Sequence, residues 1–252
     1  MSTLLMTGTI NSAYFGNVET KVSDVETRKT QYYDTIKKYI RESNFDNIVF
    51  AENSDFPFDF SYFDELAQKH GKQFEYISVT TDIAKTQANG KSYGEAHLIS
   101  EAVKKSMLIQ SEKAFYKVTG RVFVANVNKL INRKPTCQFI TRNNSKWCLT
   151  VFFKANVDVF NRCLTDIEDL CSDYIDGRCI EATYYKRLMN EKVSCFQRYP
   201  DLRGIVGSTG TPYNCSKKNL FKKDLLVKLS FYRYQSRLFL PIMKIVDIVR
   251  AK

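Results

Sequence analysis

Leu4-Leu-Met-Thr7 and Asp46-Asn-Ile-Val-Phe-Ala51 are two short apolar runs, the first ended by Gly8 and the second by Glu52-Asn53-Ser54. Both have the length and composition of buried strands. Between them Tyr32, Tyr33, Ile36, Tyr39 and Ile40 recur at helical spacing, which predicts a helix from about Asp24 to Arg41. Strand, helix and strand in that order suggest a parallel unit, because the helix carries the chain back to the end from which it started.

The same alternation continues outward. Phe60–Lys69 reads as a helix with Gly71 near its end, and Phe74–Val79 as a third strand. A loop through Asn89-Gly-Lys-Ser-Tyr-Gly94 leads into a helix predicted over Glu95–Ile109, with Ala96, Ile99, Ala102, Val103 and Leu108 facing inward. Ala114–Val118 is a fourth strand, followed at once by Thr119-Gly120-Arg121. The expected fold is α/β: an open, Rossmann-like, mostly parallel sheet flanked by helices. Past Pro135 the pattern loosens. Trp147–Phe153 reads as a strand, Val157–Cys171 and Cys179–Asn190 as helices, and 204–213 as a loop rich in Gly, Ser and Thr.

Composition narrows the function classes. The chain has 252 residues with 44% hydrophobic and 13% aromatic content, which excludes disordered and fibrous classes. Its start lacks a basic segment followed by an apolar one, and no stretch reaches the about 18 apolar residues of a membrane span, so a cytoplasmic location is expected. The seven cysteines form no CxxC pair and have no His at ligand spacing. That favours free thiols over disulfides or zinc, and His70 and His97 read as ordinary surface or helix residues.

The net charge is +11, and from Ser216 onward ten basic residues face only Asp224 and Asp247, leaving +8 in the tail. The body is thus only mildly basic, and a nucleic-acid-coating protein is not expected. In the tail, Phe221, Leu225, Leu229 and Tyr232 share a helical stripe flanked by Lys222, Lys223, Lys228 and Arg233, and Phe239–Val249 adds a second apolar stretch. A basic amphipathic tail over 216–252 suits an anionic membrane surface, or equally a helix docked on the core with a solvated basic edge.

In open parallel sheets, ligands bind beyond the carboxyl ends of the strands. Four polar clusters fall there: Thr7-Gly8-Thr9, Glu52-Asn53-Ser54, Lys91-Ser-Tyr-Gly94-Glu95, and Lys117-Val-Thr119-Gly-Arg121. The first two are also ordinary turn and capping sequences. In the third, a Gly before a helix N-terminus lets amides face a phosphate that Lys91 neutralises. In the fourth, Lys117 and Arg121 bracket a strand end and suit a diphosphate or carboxylate.

With those motifs in that order, 5–130 resembles a glycosyltransferase of the GT-A fold, of the type that builds bacterial lipopolysaccharide, capsule and related surface glycans. The matching residues are Thr7-Gly-Thr-Ile10 with Arg28, Ile48-Val-Phe-Ala-Glu-Asn-Ser54, Lys91-Ser-Tyr-Gly-Glu-Ala96 and Phe115-Tyr-Lys-Val-Thr-Gly-Arg121 running on to Asn126. The resemblance implies a nucleotide-sugar-binding half over 1–130 and an acceptor half over 131–215, together a catalytic domain over 1–215. It implies nucleoside contacts from Thr7, Gly8, Thr9 and Glu52, with Arg28, Asn53 and Ser54 beside them. It places Lys91, Gly94 and Glu95 along the donor's sugar and phosphate, and Lys117, Thr119 and Arg121 at the leaving group.

The sequence departs from that family where many members carry an Asp-x-Asp metal motif, since Lys117-Val-Thr119 has no carboxylate. A divalent ion needs oxygen ligands, so a metal-independent enzyme with no cofactor is expected, its cations doing the metal's work. Asp176-Gly-Arg-Cys-Ile-Glu181 supplies a carboxylate near a helix start, resembling the place of the acceptor-activating base in inverting members. Glu181 is the first candidate and Asp176 the second. The resulting expectation is a transferase using a nucleotide-sugar donor and a glycan or lipid-linked acceptor, peripheral on the inner face of a membrane. The rival is a non-enzymatic basic membrane- or nucleic-acid-binding adaptor.

Overall fold

The computed structural model describes residues 1–16, 22–206, 209–213 and 216–232. Cys215, residues 207–208 of the hydroxyl-rich loop, Arg233, Arg237, Asp247 and the stretch Phe239–Val249 lie outside the described residues. The first half runs β1 (Thr3–Gly8), α1 (Val25–Glu42), β2 (Asn47–Glu52), α2 (Ser61–Lys69), β3 (Gln73–Ser78), α3 (Ile83–Asn89), α4 (Lys91–Lys105), α5 (Met107–Gln110) and β4 (Ala114–Thr119). Then follow β5 (Phe123–Val124), β6 (Cys137–Gln138), β7 (Thr141–Arg142), β8 (Trp147–Cys148), β9 (Phe152–Asn156) and α6 (Val157–Cys163). The described chain closes with α7 (Ile180–Arg187), β10 (Val193–Ser194), β11 (Leu202–Arg203) and α8 (Lys217–Lys228).

The central sheet has the order β10-β6-β9-β4-β1-β2-β3. β4, β1, β2 and β3 are parallel, as their alternation with helices requires, and β9 adds antiparallel to β4. The expected mostly parallel α/β sheet is present. Because β10 joins the same sheet through β6, the second half of the chain completes the first.

Alternation along β1 splits the core. Leu4 and Met6 pack with Tyr32, Ile36, Tyr39 and Ile40 of α1 and with Phe63 and Ala67 of α2. Leu5 packs on the other face with Ala96, Ile99, Ala102 and Val103 of α4 and with Phe160 of α6. Each fully buried side chain of this kind contributes about 1.5–3 kcal/mol, which is why strands covered on both faces read as continuous apolar runs.

Three expectations need correction. The helix expected over Glu95–Ile109 begins at Lys91 and ends at Lys105, and Ser106, with its hydroxyl donating to Glu75, breaks it from α5. The strand expected over Trp147–Phe153 is two elements, since Trp147–Cys148 folds back on β7 and Phe152–Asn156 enters the main sheet. The helix expected over Val157–Cys171 stops at Cys163, and a 3-10 turn at Glu168–Leu170 follows.

Candidate functional site

The in-register pairing sets the carboxyl ends of the parallel strands level: Gly8 faces Glu52, Glu52 faces Ser78, and Thr7 faces Thr119. Glu52 is fully buried there. Its carboxylate accepts from the Ile10 and Ser54 amides, each at 2.9 Å, from the Phe56 amide at 3.4 Å, and from the Ser54 hydroxyl. Asn53 accepts from the Thr9 hydroxyl at 2.6 Å and donates to Thr81, while the Ser54 oxygen accepts from the Asn11 amide at 2.8 Å. The carboxylate expected to reach a nucleoside is instead turned inward, where it ties the loop after β1 to the loop after β2. A buried carboxylate needs several donors, and these adjacent backbones supply them.

Arg28 is corrected in the same way. Its guanidinium is buried and donates to the carbonyls of Thr9, Ile10 and Val22, and burial pulls its pKa down. It holds the loop after β1 from behind rather than reaching the donor. Tyr32 lies between two cations, with the guanidinium carbons of Arg28 and Arg121 at 6.0 and 5.8 Å from its ring centroid, and its hydroxyl accepts from the Thr9 amide.

Arg121 differs from Arg28. It is only 8% exposed, donates through one terminal nitrogen to Gln31 at 2.9 Å, and its Nε–H is buried without a partner among the described residues. The backbone that presents it is fixed on both sides. The Gly120 amide donates to the Thr7 carbonyl at 2.8 Å, so close that a Cβ on Gly120 would sit 2.8 Å from that oxygen. Gly204, with φ of +131°, packs against the Arg121 carbonyl where a side chain has no room.

Lys117 is fully buried, and its ammonium donates to Glu95, to the Thr119 hydroxyl at 3.2 Å and to the Thr150 carbonyl at 2.9 Å. Three N–H donors meet three acceptors, so Lys117 has none left for a diphosphate, contrary to expectation. Burial at the centre of β4 requires that compensation. Glu95 remains 29% exposed.

The first turn of α4 is also occupied from within. The Ser92 amide and hydroxyl both donate to the carboxylate of Asp173, and the Asp173 amide donates to the Asn89 carbonyl. A carboxylate from the chain itself thus fills the anion position expected for phosphate. Lys91 is half-buried in this turn, and Gly94 is buried inside the helix, its Cβ position 3.4 Å from Thr86 of α3. Gly94 serves helix packing rather than donor approach.

Glu181 opens α7 half-buried and accepts from the Thr150 hydroxyl at 3.3 Å. Burial, reinforced by the charge of Glu95, pushes its carboxyl above the usual range. Tyr213 ends a hairpin closed by its amide on the Gly204 carbonyl. Its phenol is pushed up to about 12 by burial and by Glu95 and Glu181, with Arg121 opposing. Asp176 is exposed in the turn that the Arg178 amide closes on Ile175, and it is Glu181 that meets Thr150.

The structure therefore gathers Glu95, Lys117, Thr119, Arg121, Thr150, Glu181 and Tyr213 at one end of the sheet. Thr150 and Tyr213 were not singled out from the sequence. Thr150 joins because β9 is antiparallel and starts beside the end of β4, with the Thr119 amide donating to the Val151 carbonyl. Tyr213 carried one signal, its place at the end of the glycine-rich loop.

The chain matches no family model and no curated protein. Among solved structures it is similar to two of LgtC, both at 8% identity and covering 77% of this chain. One is an active-site mutant, with a TM-score of 0.46 over 71% of that chain. The other is the galactosyltransferase in complex with donor and acceptor sugar analogs, with a TM-score of 0.45 over 72%.

The residues at the end of β4 do not fit a divalent cation, because an ammonium already sits on Glu95 and would repel it. Among the described residues no group of three or more His, Cys, Asp or Glu side chains is placed to hold one. Among them, too, no helix is long and apolar enough to cross a membrane.

Proposed function

We propose that this chain is a GT-A-type glycosyltransferase that moves a glycosyl unit from a nucleotide-sugar to a hydroxyl of a surface glycan, without an obligatory metal. The observation that carries the reading is the pairing, at one sheet end, of a buried guanidinium lacking a carboxylate partner with a half-buried carboxylate of raised pKa. Arg121 meets the leaving diphosphate with its guanidinium, and the charge that develops there in the transition state is stabilised by a donor already in place. Glu181 takes the proton of the attacking hydroxyl, since a carboxyl shifted upward is a better base than an ordinary one. Tyr213, whose phenol feels the charges of both, borders the place where the substrates meet. Glu52, Asn53, Ser54 and Arg28 shape the loop after β1, and Thr7 and Gly8 at the end of β1, with Thr9 after them, border the nucleoside.

The acceptor end of the reading includes a membrane. Phe221, Leu225 and Leu229 of the α8 segment are exposed at 73, 47 and 47%, with Lys217, Lys218, Lys222 and Lys228 exposed beside them, while Val227 on the opposite face is buried. An apolar stripe between lysines suits the cytoplasmic face of an anionic bilayer and a lipid-linked acceptor.

Thermal stabilisation by free nucleoside diphosphates tests the reading, because a ligand bound by the folded state alone raises its melting temperature. At least one of UDP, GDP, ADP and dTDP is expected to do so, and Arg121→Ala to abolish the shift. Failure of all four, alone and as nucleotide-sugars, overturns it.

A further inference from the structure

The two carboxylates of the site do not sit alike. Glu95 is held by a lysine with no solvent exposure, so its position is fixed from the core, yet it keeps 29% of its own surface open. The ammonium is bound to one oxygen of Glu95, Oε1, which leaves Oε2 for the open side. Glu181 reaches the same place from α7, its Oε1 held by Thr150, whose carbonyl also accepts from Lys117. One residue thus links the two acids. Two further polar groups at this end of the sheet are without a partner among the described residues. They are the Arg121 Nε–H, on the side of Gln31 and Tyr32, and the hydroxyl of Tyr184, which lies one helical turn after Glu181 on α7 and feels the charge of Glu95. A buried polar atom without a partner is costly, and a bound group that reaches it removes that cost.

We propose that Glu95, fixed by Lys117, is a substrate-facing carboxylate that forms with Glu181 a clamp for sugar hydroxyls, and that this clamp selects an uncharged glycosyl unit over one carrying a carboxylate. The proposal rests on the transferase reading and adds the chemical class of the sugar. The physical reason is direct. Carboxylates are acceptors only, so they take O–H donors from a polyol and repel a uronate. One lysine charge is set against two carboxylates, so the sugar end keeps negative character while the diphosphate end, at Arg121, is positive. The ligand such a field fits is an anion at one end and a neutral polyol at the other.

The test uses the full chain and calorimetry with UDP, UDP-glucose and UDP-glucuronate, and with GDP, GDP-mannose and GDP-mannuronate. For the base that binds, the hexose form is expected to bind at least as tightly as the bare diphosphate and the uronate form at least tenfold more weakly than the hexose form. Glu95→Gln, which keeps size and removes charge, is expected to close that gap by at least fivefold while leaving affinity for the bare diphosphate within twofold. Equal affinity for hexose and uronate forms in the native protein overturns the clamp even where the diphosphate binds, and needs no variant to fold. An unchanged ratio in Glu95→Gln removes Glu95 from it. If none of UDP, GDP, ADP and dTDP binds, alone or as nucleotide-sugars, the transferase reading falls and the clamp with it.

Discussion

The Thr150 hydroxyl donates to Glu181 while its carbonyl accepts from Lys117, so one residue just before β9 positions both the proposed base and the ion pair of the neighbouring acid. β9 runs antiparallel to β4, which brings its first residues to the end where the parallel strands stop.

Removing the base is expected to separate chemistry from binding. Glu181→Gln should lower turnover by about a hundredfold or more, the usual contribution of a general base, with donor KM changed less than threefold. Steady-state kinetics over a range of donor concentrations checks it, and full turnover in the variant ends the assignment.

The pH dependence follows from the direction of the Glu181 shift. Its folded pKa lies above its unfolded one because burial and Glu95 disfavour the charged form. The native state therefore binds more protons in that window, and the contribution to stability, complete below the unfolded value of about 4.3, is lost as pH rises through the folded value. Activity runs the other way, rising with pH as the base is freed. In Glu95→Gln the midpoint of that rise should move to lower pH.

Lys117→Met should destabilise the protein by about 3 kcal/mol in urea unfolding, because it leaves Glu95 charged and partly buried without its partner. Lys117→Met combined with Glu95→Leu should cost less than the two single changes together, since the uncompensated charge is then gone.

Lys154 gives a second titration at a separate place. It is buried and donates, among the described residues, to neutral oxygens of Asn132 and Lys134, and burial lowers its pKa to about 8. Between that value and the unfolded lysine pKa of about 10.4, the unfolded chain binds the extra proton, so Lys154 makes the native state gain stability as pH rises. Lys154→Met should remove that gain, read from urea midpoints at pH 7.5 and 10.

For the membrane reading, co-sedimentation with vesicles containing 30% phosphatidylserine should show binding that falls at least tenfold in the double variant Phe221→Ser with Leu225→Ser, with the melting temperature unchanged because both side chains are exposed. Equal binding to neutral vesicles removes the electrostatic part of the argument.

The apolar runs at Leu4 and Ile48 and the helical spacing of Tyr32, Ile36, Tyr39 and Ile40 determined the parallel sheet by themselves, because strand and helix periodicity are local properties of the chain. The carboxyl-end rim was legible for the same reason: element order fixes which loops share an end. What each rim residue does there was not local. Glu52, Arg28 and Lys117 all looked like ligands, and tertiary structure gave each of them partners from distant segments. The α4 N-terminus looked open until Asp173, 81 residues beyond Ser92, filled it. Arg121 alone among these kept a buried donor without a partner, and Thr150 and Tyr213 joined it through an antiparallel strand and a hairpin. A charged side chain in a sequence announces only that it needs compensation. Whether the protein or a substrate supplies it depends on which segments pack beside it, and packing partners far apart in the chain leave no periodic trace in the sequence.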